Sequence, residues 1–115
     1  MNAKRSPFNK MLEEAHVWLH DLTERMGSED RQAAYHAYRG VLFALRDRLP
    51  LSEAFGLAAQ LPTLLRGVYF DGYSPAGKPE KYGYDEFVAR VAHELQLAGG
   101  RSPEPTIQAV AAVME

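Results

Sequence analysis

Two histidines four residues apart, His16 and His20, are the first candidates for chemistry in this sequence. At that spacing on a helix, both imidazoles can reach one metal ion, as in zinc sites built on an HExxH pattern. Glu13 and Glu24 fall nearby on the same side of the predicted helix, but the residues between the histidines read VWL, so the catalytic glutamate of that pattern is missing. We therefore interpret this side as a solvated helix face, with a metal-binding sensor as the alternative.

The second candidate is a segment rich in tyrosine, proline and glycine around residues 71–83. Tyr69, Tyr73 and Tyr82, with Arg66, could line a small-ligand pocket, because such pockets are mostly aromatic or apolar with a few polar groups. Aromatic rings can also bury themselves in a core while their hydroxyls stay near water, and the two prolines of the segment reduce the entropy lost on ordering. We interpret the segment as a structural crossover fastened to a helical core, and the ligand pocket is the alternative.

Arginines are concentrated on the second predicted helix. Arg39 and Arg46 share one side with Tyr35, an arrangement that can hold a phosphate or a carboxylate. Acidic residues are interleaved with them, so we interpret them as ordinary surface arginines. A helix-turn-helix DNA reader is disfavoured, since the candidate recognition helix PTLLRGVYF offers Arg66 alone for base edges.

The overall composition limits the function classes. The chain has 115 residues, a net charge of −2 and no cysteine, which indicates one domain and excludes disulfides and thiolate metal sites. The acidic balance argues against a nucleic-acid partner. No stretch is apolar enough for a membrane span, and the start MNAKRSPF lacks the apolar region of a signal peptide, so we expect a cytoplasmic protein. Signatures of nucleophilic or phosphate-binding enzymes are missing, so we assign no catalytic residue, no cofactor and no enzymatic activity.

Apolar residues that recur at steps of three and four predict an all-α domain of about six helices. The predicted helices cover about 7–27, 29–49, 52–60, 62–70, 84–98 and 103–115. Ser6-Pro7 and Ser52 are expected to open the first and third helices. The first helix has a continuous apolar stripe: Phe8, Met11, Leu12, Ala15, Trp18, Leu19 and Leu22. We place Trp18 in the core, while Val17 points outward and is a weak sign of a contact surface.

The second helix is apolar on two sides, which predicts that it forms the centre of the bundle. Two stripes run along this helix. One consists of Ala34, Tyr38, Val41, Leu42, Leu45 and Leu49, and the other has only small residues: Ala33, Ala37, Gly40 and Ala44. A glycine inside a helix costs about 1 kcal/mol relative to alanine. Gly40 therefore predicts a close approach by a neighbouring helix. In the later helices, Phe55, Leu64 and Leu65 are among the residues expected to face inward.

The segment from Ala44 to Tyr73, ALRDRLPLSEAFGLAAQLPTLLRGVYFDGY, with the following loop and EFVARVA, resembles the bacterial family called domain of unknown function 2267. The resemblance covers nearly the whole chain and implies a small helical protein. It implies no activity, because the family has no established chemistry. The function that we expect is therefore a non-catalytic helical protein acting through contacts with an unidentified protein partner, the alternatives being a small-ligand or metal sensor and, less favoured, a nucleic-acid binder.

A shift of 73 residues aligns the apolar phase of the first helix with that of the fifth, and Gly27 with Gly100. This predicts one and a half copies of a helical repeat, a first copy over about 7–70 and a partial second over about 84–115. Family members tend to run further, so the last helix is expected to lack part of its cover. Its apolar residues are then candidates for a homodimer interface: Ile107, Val110, Val113 and Met114. The alternative is a monomer in which this helix folds back onto the first two.

Overall fold

A computed structural model describes residues 6–115 and confirms the all-α prediction, with no strand in that range. The six helices are α1 (Pro7–Met26), α2 (Arg31–Arg48), α3 (Leu51–Ala58), α4 (Thr63–Phe70), α5 (Tyr84–Leu95) and α6 (Pro103–Met114). A 3-10 turn, Gln96–Ala98, follows α5. Within residues 6–115, no helix is both long and apolar enough to cross a membrane. Residues 1–5, the first part of the segment MNAKRSPF that was considered as a signal peptide, lie outside the described residues.

Local capping explains where the long helices begin and end. The Ser6 side chain accepts a hydrogen bond from the Asn9 N–H, and Asp30 does the same for Gln32 at the start of α2. Gly27 ends α1 with φ of +68°, a conformation that glycine adopts without a steric penalty. The expected cap at Ser52 is wrong: α3 begins one residue earlier, after Pro50, without a side-chain cap.

The centre of the bundle is α2, as its two apolar sides predict. It packs against α1, α4, α5 and α6, most extensively against α5, while α6 packs mainly against α1 and also against α5 and α2. The largest fully buried side chains come from all four of the longer helices and from α4: Tyr38, Tyr69, Leu22, Leu42, Leu95, Val91 and Val110. The last helix therefore folds back onto the first two within one chain, and the homodimer and the monomer both stay predictions.

Several apolar side chains that were expected in the core are exposed. Phe8 is 78% exposed and Leu12 is 49% exposed, because the burial of α1 begins only at Ala15. Phe55 and Leu64 also lie at the surface, on the outer sides of the short helices α3 and α4. A helix of eight residues makes about two turns, so it can bury only a few side chains. In α4 these are Leu65 and Tyr69.

Two features agree with the predicted repeat, which itself stays a prediction. Gly27 and Gly100 both have a positive φ, of +68° and +72°. Leu22 and Leu95, which the same shift of 73 aligns, are both fully buried.

Candidate functional site

The N-terminal part of α1 presents large apolar side chains to solvent. Phe8 and Leu12 lie one turn apart, and Val17, which is 65% exposed, lies on another side of the helix, because five residues turn it well away from Leu12. Exposed apolar side chains that lie close together mark contact sites more often than isolated exposed residues do. We call this surface the α1 face: Phe8, Asn9, Leu12, Glu13, Glu14, His16, Val17 and His20 of α1, with Arg31 and Pro62 beside them.

Two open hollows lie on the α1 face, and Glu13 and Val17 line both of them. The larger hollow has a volume of about 670 Å³ and includes Leu12, His16, His20 and Arg31 on its walls. The smaller, of about 420 Å³, is lined by Glu13, Glu14, Val17 and Pro62. The larger hollow therefore has a basic wall, and the smaller hollow is acidic. Apolar side chains line both.

The two histidines of the predicted metal pair lie in the larger hollow, but each has a different partner. The Arg31 guanidinium lies 3.1 Å from His16 Nδ1, and because a guanidinium can only donate, Nδ1 accepts. His20 Nε2 lies 2.8 Å from Glu24 Oε1. Within residues 6–115, no group of three or more histidine, aspartate or glutamate side chains could hold a metal ion.

The hydroxyls of two aromatic loop residues bind different helices, and the ligand pocket stays a prediction. The Tyr69 hydroxyl donates to the Ala54 carbonyl oxygen, 2.8 Å away. The Tyr82 hydroxyl donates to the carbonyl of Ala44 on α2. The two hydroxyls therefore bind two different helices, α3 and α2.

Arg66 likewise binds the backbone at the end of α3, since its guanidinium donates to the carbonyl oxygens of Ala58 and Leu61, both at 3.0 Å. Tyr73 keeps a buried hydroxyl without a hydrogen-bond partner in the described part of the chain, and its ring lies near the cations of Arg46 and Lys78. The polar atoms of Arg66, Tyr69 and Tyr82 thus bind the backbone of the chain itself, whereas the Tyr73 hydroxyl does not.

Burial in these places also raises the pKa of the tyrosines. The pKa of Tyr69 rises to about 12, first because burial disfavours its charged form and then because Tyr73 lies nearby. Burial is likewise the main reason that the pKa values of Tyr38 and Tyr82 lie above the ordinary tyrosine value. These hydroxyls therefore stay protonated and act as structural donors.

Arg46 is the residue that fastens the loop, and sequence reasoning misplaced it on the surface. Its guanidinium is 6% exposed, donates to the carbonyl oxygens of Tyr69 and Asp71, and stacks 3.9 Å from the ring centroid of Phe43. It also lies 3.1 Å from Asp47. The local sequence could not predict this contact, because the two carbonyl groups lie 23 and 25 residues after Arg46 in the chain.

Further bonds hold the rest of the loop, as the structural interpretation predicted. The Glu80 N–H donates to the Asp47 carbonyl oxygen at 2.8 Å, and Arg48 donates to the Tyr82 carbonyl at the same distance. Hydrogen bonds from Arg90 and then from Lys78 hold the pKa of the Glu80 carboxyl below its usual value. Residues 71–83 are therefore bound to both α2 and α5.

A second polar cluster, which the sequence did not reveal, joins α2 to α5. His36 Nδ1 lies 2.8 Å from Glu94 Oε2, and Arg39 Nε donates to the same oxygen at 3.2 Å. Arg39 also contacts Tyr35, the neighbour with which it was expected to form an anion site. Because Glu94 already supplies the carboxylate, this site is filled from within the chain.

The predicted interface residues of α6 are largely covered within the chain. Val110 is 1% exposed, so it is not available to a partner, and Ile107, Val113 and Met114 are half-buried against the core. Val110 is covered because α6 packs against α1, α2 and α5, and the predicted interface itself stays a prediction. Ile107 and Met114 still line an apolar hollow of about 360 Å³ between α2, α5 and α6.

Comparison with known proteins agrees with the resemblance found in the sequence. A family model described as an uncharacterized conserved protein (DUF2267) matches residues 15–115. No curated protein matches the chain. The matched range covers α2 to α6 and most of α1, including the outward residues His16, Val17 and His20.

Proposed function

This chain belongs to the DUF2267 family of uncharacterized conserved proteins, and we propose that it acts in the cytoplasm through protein–protein contact at the α1 face, without catalysing a reaction. The observation that supports this proposal is the exposure of three large apolar side chains on α1. Phe8 and Leu12 lie on the apolar stripe of α1 but in the turns before Ala15, where its burial begins, and Val17 points away from the bundle. A surface helix normally exposes polar side chains, so exposed apolar side chains on α1 gain most when a second protein covers them.

The polar groups of the molecule support a structural rather than a catalytic role. Three of the four histidines, His16, His20 and His36, are each bound to an arginine or a glutamate. The buried tyrosine hydroxyls donate to backbone carbonyls. These groups stabilise helix contacts and the loop, and none of them is paired with a nucleophile.

Affinity capture from native lysate tests the proposal with matched variants. We expect tagged wild-type protein to retain a binding protein, and Leu12→Asp and Val17→Asp to lose it, because a carboxylate on the α1 face would have to be desolvated in the contact. Leu97→Asp is the control, since Leu97 is 68% exposed on the 3-10 turn after α5. Capture that Val17→Asp leaves unchanged, or that Leu97→Asp abolishes, contradicts the proposed surface.

A further inference from the structure

Three charged side chains of the α1 face form no ion pair in the part of the chain that the structure describes. Glu13 and Glu14 contact no basic group there, and the polar contact of Arg31 is to the His16 ring rather than to a carboxylate. By contrast, two other arginines on the surface are paired with acids: Arg25 with Asp21, and Arg90 with Glu80 and Glu86. The α1 face therefore keeps both an unpaired acidic group and an unpaired basic group beside its apolar side chains.

We propose that the α1 face binds the α1 face of a second copy of this chain, forming a two-fold symmetric dimer. This inference rests on the function proposed above and names the partner. In an isologous contact the same patch is used by both copies, so the patch must be complementary to itself. The α1 face meets that requirement, since the basic wall of one copy, at Arg31 and His16, can face the acidic wall of the other, at Glu13 and Glu14.

The apolar groups match the same arrangement. Val17 and Glu13 line both hollows, so they form the boundary between the acidic and the basic side. Across a two-fold axis near this boundary, the Val17 side chains of the two copies meet each other, and the Glu14 side chain of each copy faces Arg31 of the other, so that the Glu14–Arg31 pair occurs twice. Burial of the apolar side chains supplies the main driving force, while the paired charges fix the orientation.

The apolar hollow at Ile107 and Met114 is the weaker candidate for such a contact. Its lining is almost entirely apolar, with Glu115 as its one charged group. It therefore offers no complementary charges that would select a partner or an orientation. The α1 face has apolar side chains and also charges of both signs.

A charge exchange tests the dimer by sedimentation at micromolar concentration. We expect the wild type to sediment as a dimer that weakens as salt is raised. Glu14→Arg and Arg31→Glu should each weaken association by about tenfold or more, because each places like charges opposite one another. The double variant restores opposite charges in both copies, so it should recover most of the lost affinity. Circular dichroism verifies that each variant is folded.

Cross-linking gives an independent test, because the chain contains no cysteine. Under a mild oxidant, Val17→Cys should form an intermolecular disulfide at low protein concentration, since residues close to a two-fold axis meet their own counterparts. Leu97→Cys, exposed on the 3-10 turn, should form no intermolecular disulfide under the same conditions.

The outcomes separate this inference from the proposed function. A wild type that sediments as a monomer at all accessible concentrations overturns the dimer, as does a dimer that both single charge reversals leave intact. If capture of a different protein is nevertheless lost in Val17→Asp, contact at the α1 face stands and only the identity of the partner is wrong. If neither association nor capture depends on Val17, both proposals fail.

Discussion

Gly40 on α2 lies directly against Glu94 on α5: a Cβ placed on Gly40 would be 3.2 Å from the Glu94 Cβ and 3.4 Å from its Cγ. Glu94 is itself held in place by His36 and Arg39. The carbonyl oxygen of Val91 would also lie at 3.4 Å from the new carbon. The two helices approach this closely because residue 40 has no side chain.

We therefore expect Gly40→Leu to lower the free energy of unfolding by about 1–3 kcal/mol through overpacking, although leucine is the better helix former by close to 1 kcal/mol. Urea unfolding measures the change. Gly67→Ala on α4 is the matched control, since a Cβ there meets nothing within 4 Å. The control should be stabilised by up to about 1 kcal/mol. A Gly40→Leu variant more stable than the wild type would show that the α2–α5 contact is looser than described.

Trp18 is half-buried rather than central, with its ring edge-to-face on the fully buried Tyr38 at 5.3 Å between centroids. Trp18→Ala should therefore lower the free energy of unfolding by about 3 kcal/mol, the lower end of the range for large aromatic side chains. Leu97→Ala, at an exposed position, should change it by less than about 0.5 kcal/mol. Equal effects of the two substitutions would mean that α1 is rotated away from α2.

Arg46→Ala should lower the free energy of unfolding by about 3 kcal/mol or more, because two carbonyl oxygens lose their donor. Arg46→Lys should have a free energy of unfolding between those of the wild type and Arg46→Ala, since an ammonium cannot reproduce the fixed geometry of the guanidinium. The control is Arg25→Ala, whose exposed ion pair with Asp21 is worth less than about 1 kcal/mol. Proteolysis within residues 71–83 should also increase in Arg46→Ala, and an unchanged cleavage rate would contradict its role in fastening the loop.

Alkaline pH should destabilise the fold from about pH 10 upward, near the ordinary tyrosine pKa. Between that value and about 12, the pKa of folded Tyr69, the folded chain keeps a proton that the unfolded chain has lost. The folded state then binds more protons, so stability falls as pH rises, by up to about 1.4 kcal/mol per pH unit for each such tyrosine. Tyr38 and Tyr82 act in the same direction.

Denaturant unfolding between pH 9 and 12 measures this slope. Tyr69→Phe should reduce it, whereas Tyr84→Phe, at a 63% exposed position, should not. A stability that is constant up to pH 12 would contradict the burial of these hydroxyls.

Calorimetry with zinc should give no submicromolar site on the wild type. The Arg31 guanidinium occupies His16 Nδ1 and repels a cation in the same hollow. Arg31→Ala removes that repulsion and is expected to raise zinc affinity. An unchanged affinity would mean that zinc binds weakly because of the spacing of the histidines rather than because of the Arg31 charge. A tight wild-type site that His20→Ala abolishes would support the metal-sensor alternative.

The sequence by itself determined the features that depend on neighbouring residues. Helix ends follow from local groups, such as the Ser6 and Asp30 caps and the left-handed Gly27, because capping acts within one turn. The two apolar sides of α2 likewise predicted its central place. Gly40 predicted a close contact, since an interior glycine needs a packing reason.

Only the tertiary structure decided which of those faces are covered and which polar groups meet. Arg46 binds carbonyls 23 and 25 residues away, and His36 reaches Glu94 across 58 residues. Nothing in their local sequence distinguishes these side chains from surface charges. The same holds for the α1 face: Leu12 and Leu19 belong to one apolar stripe, but only Leu19 is buried. Periodicity gives the direction of a side chain, whereas burial requires another helix to lie in that direction.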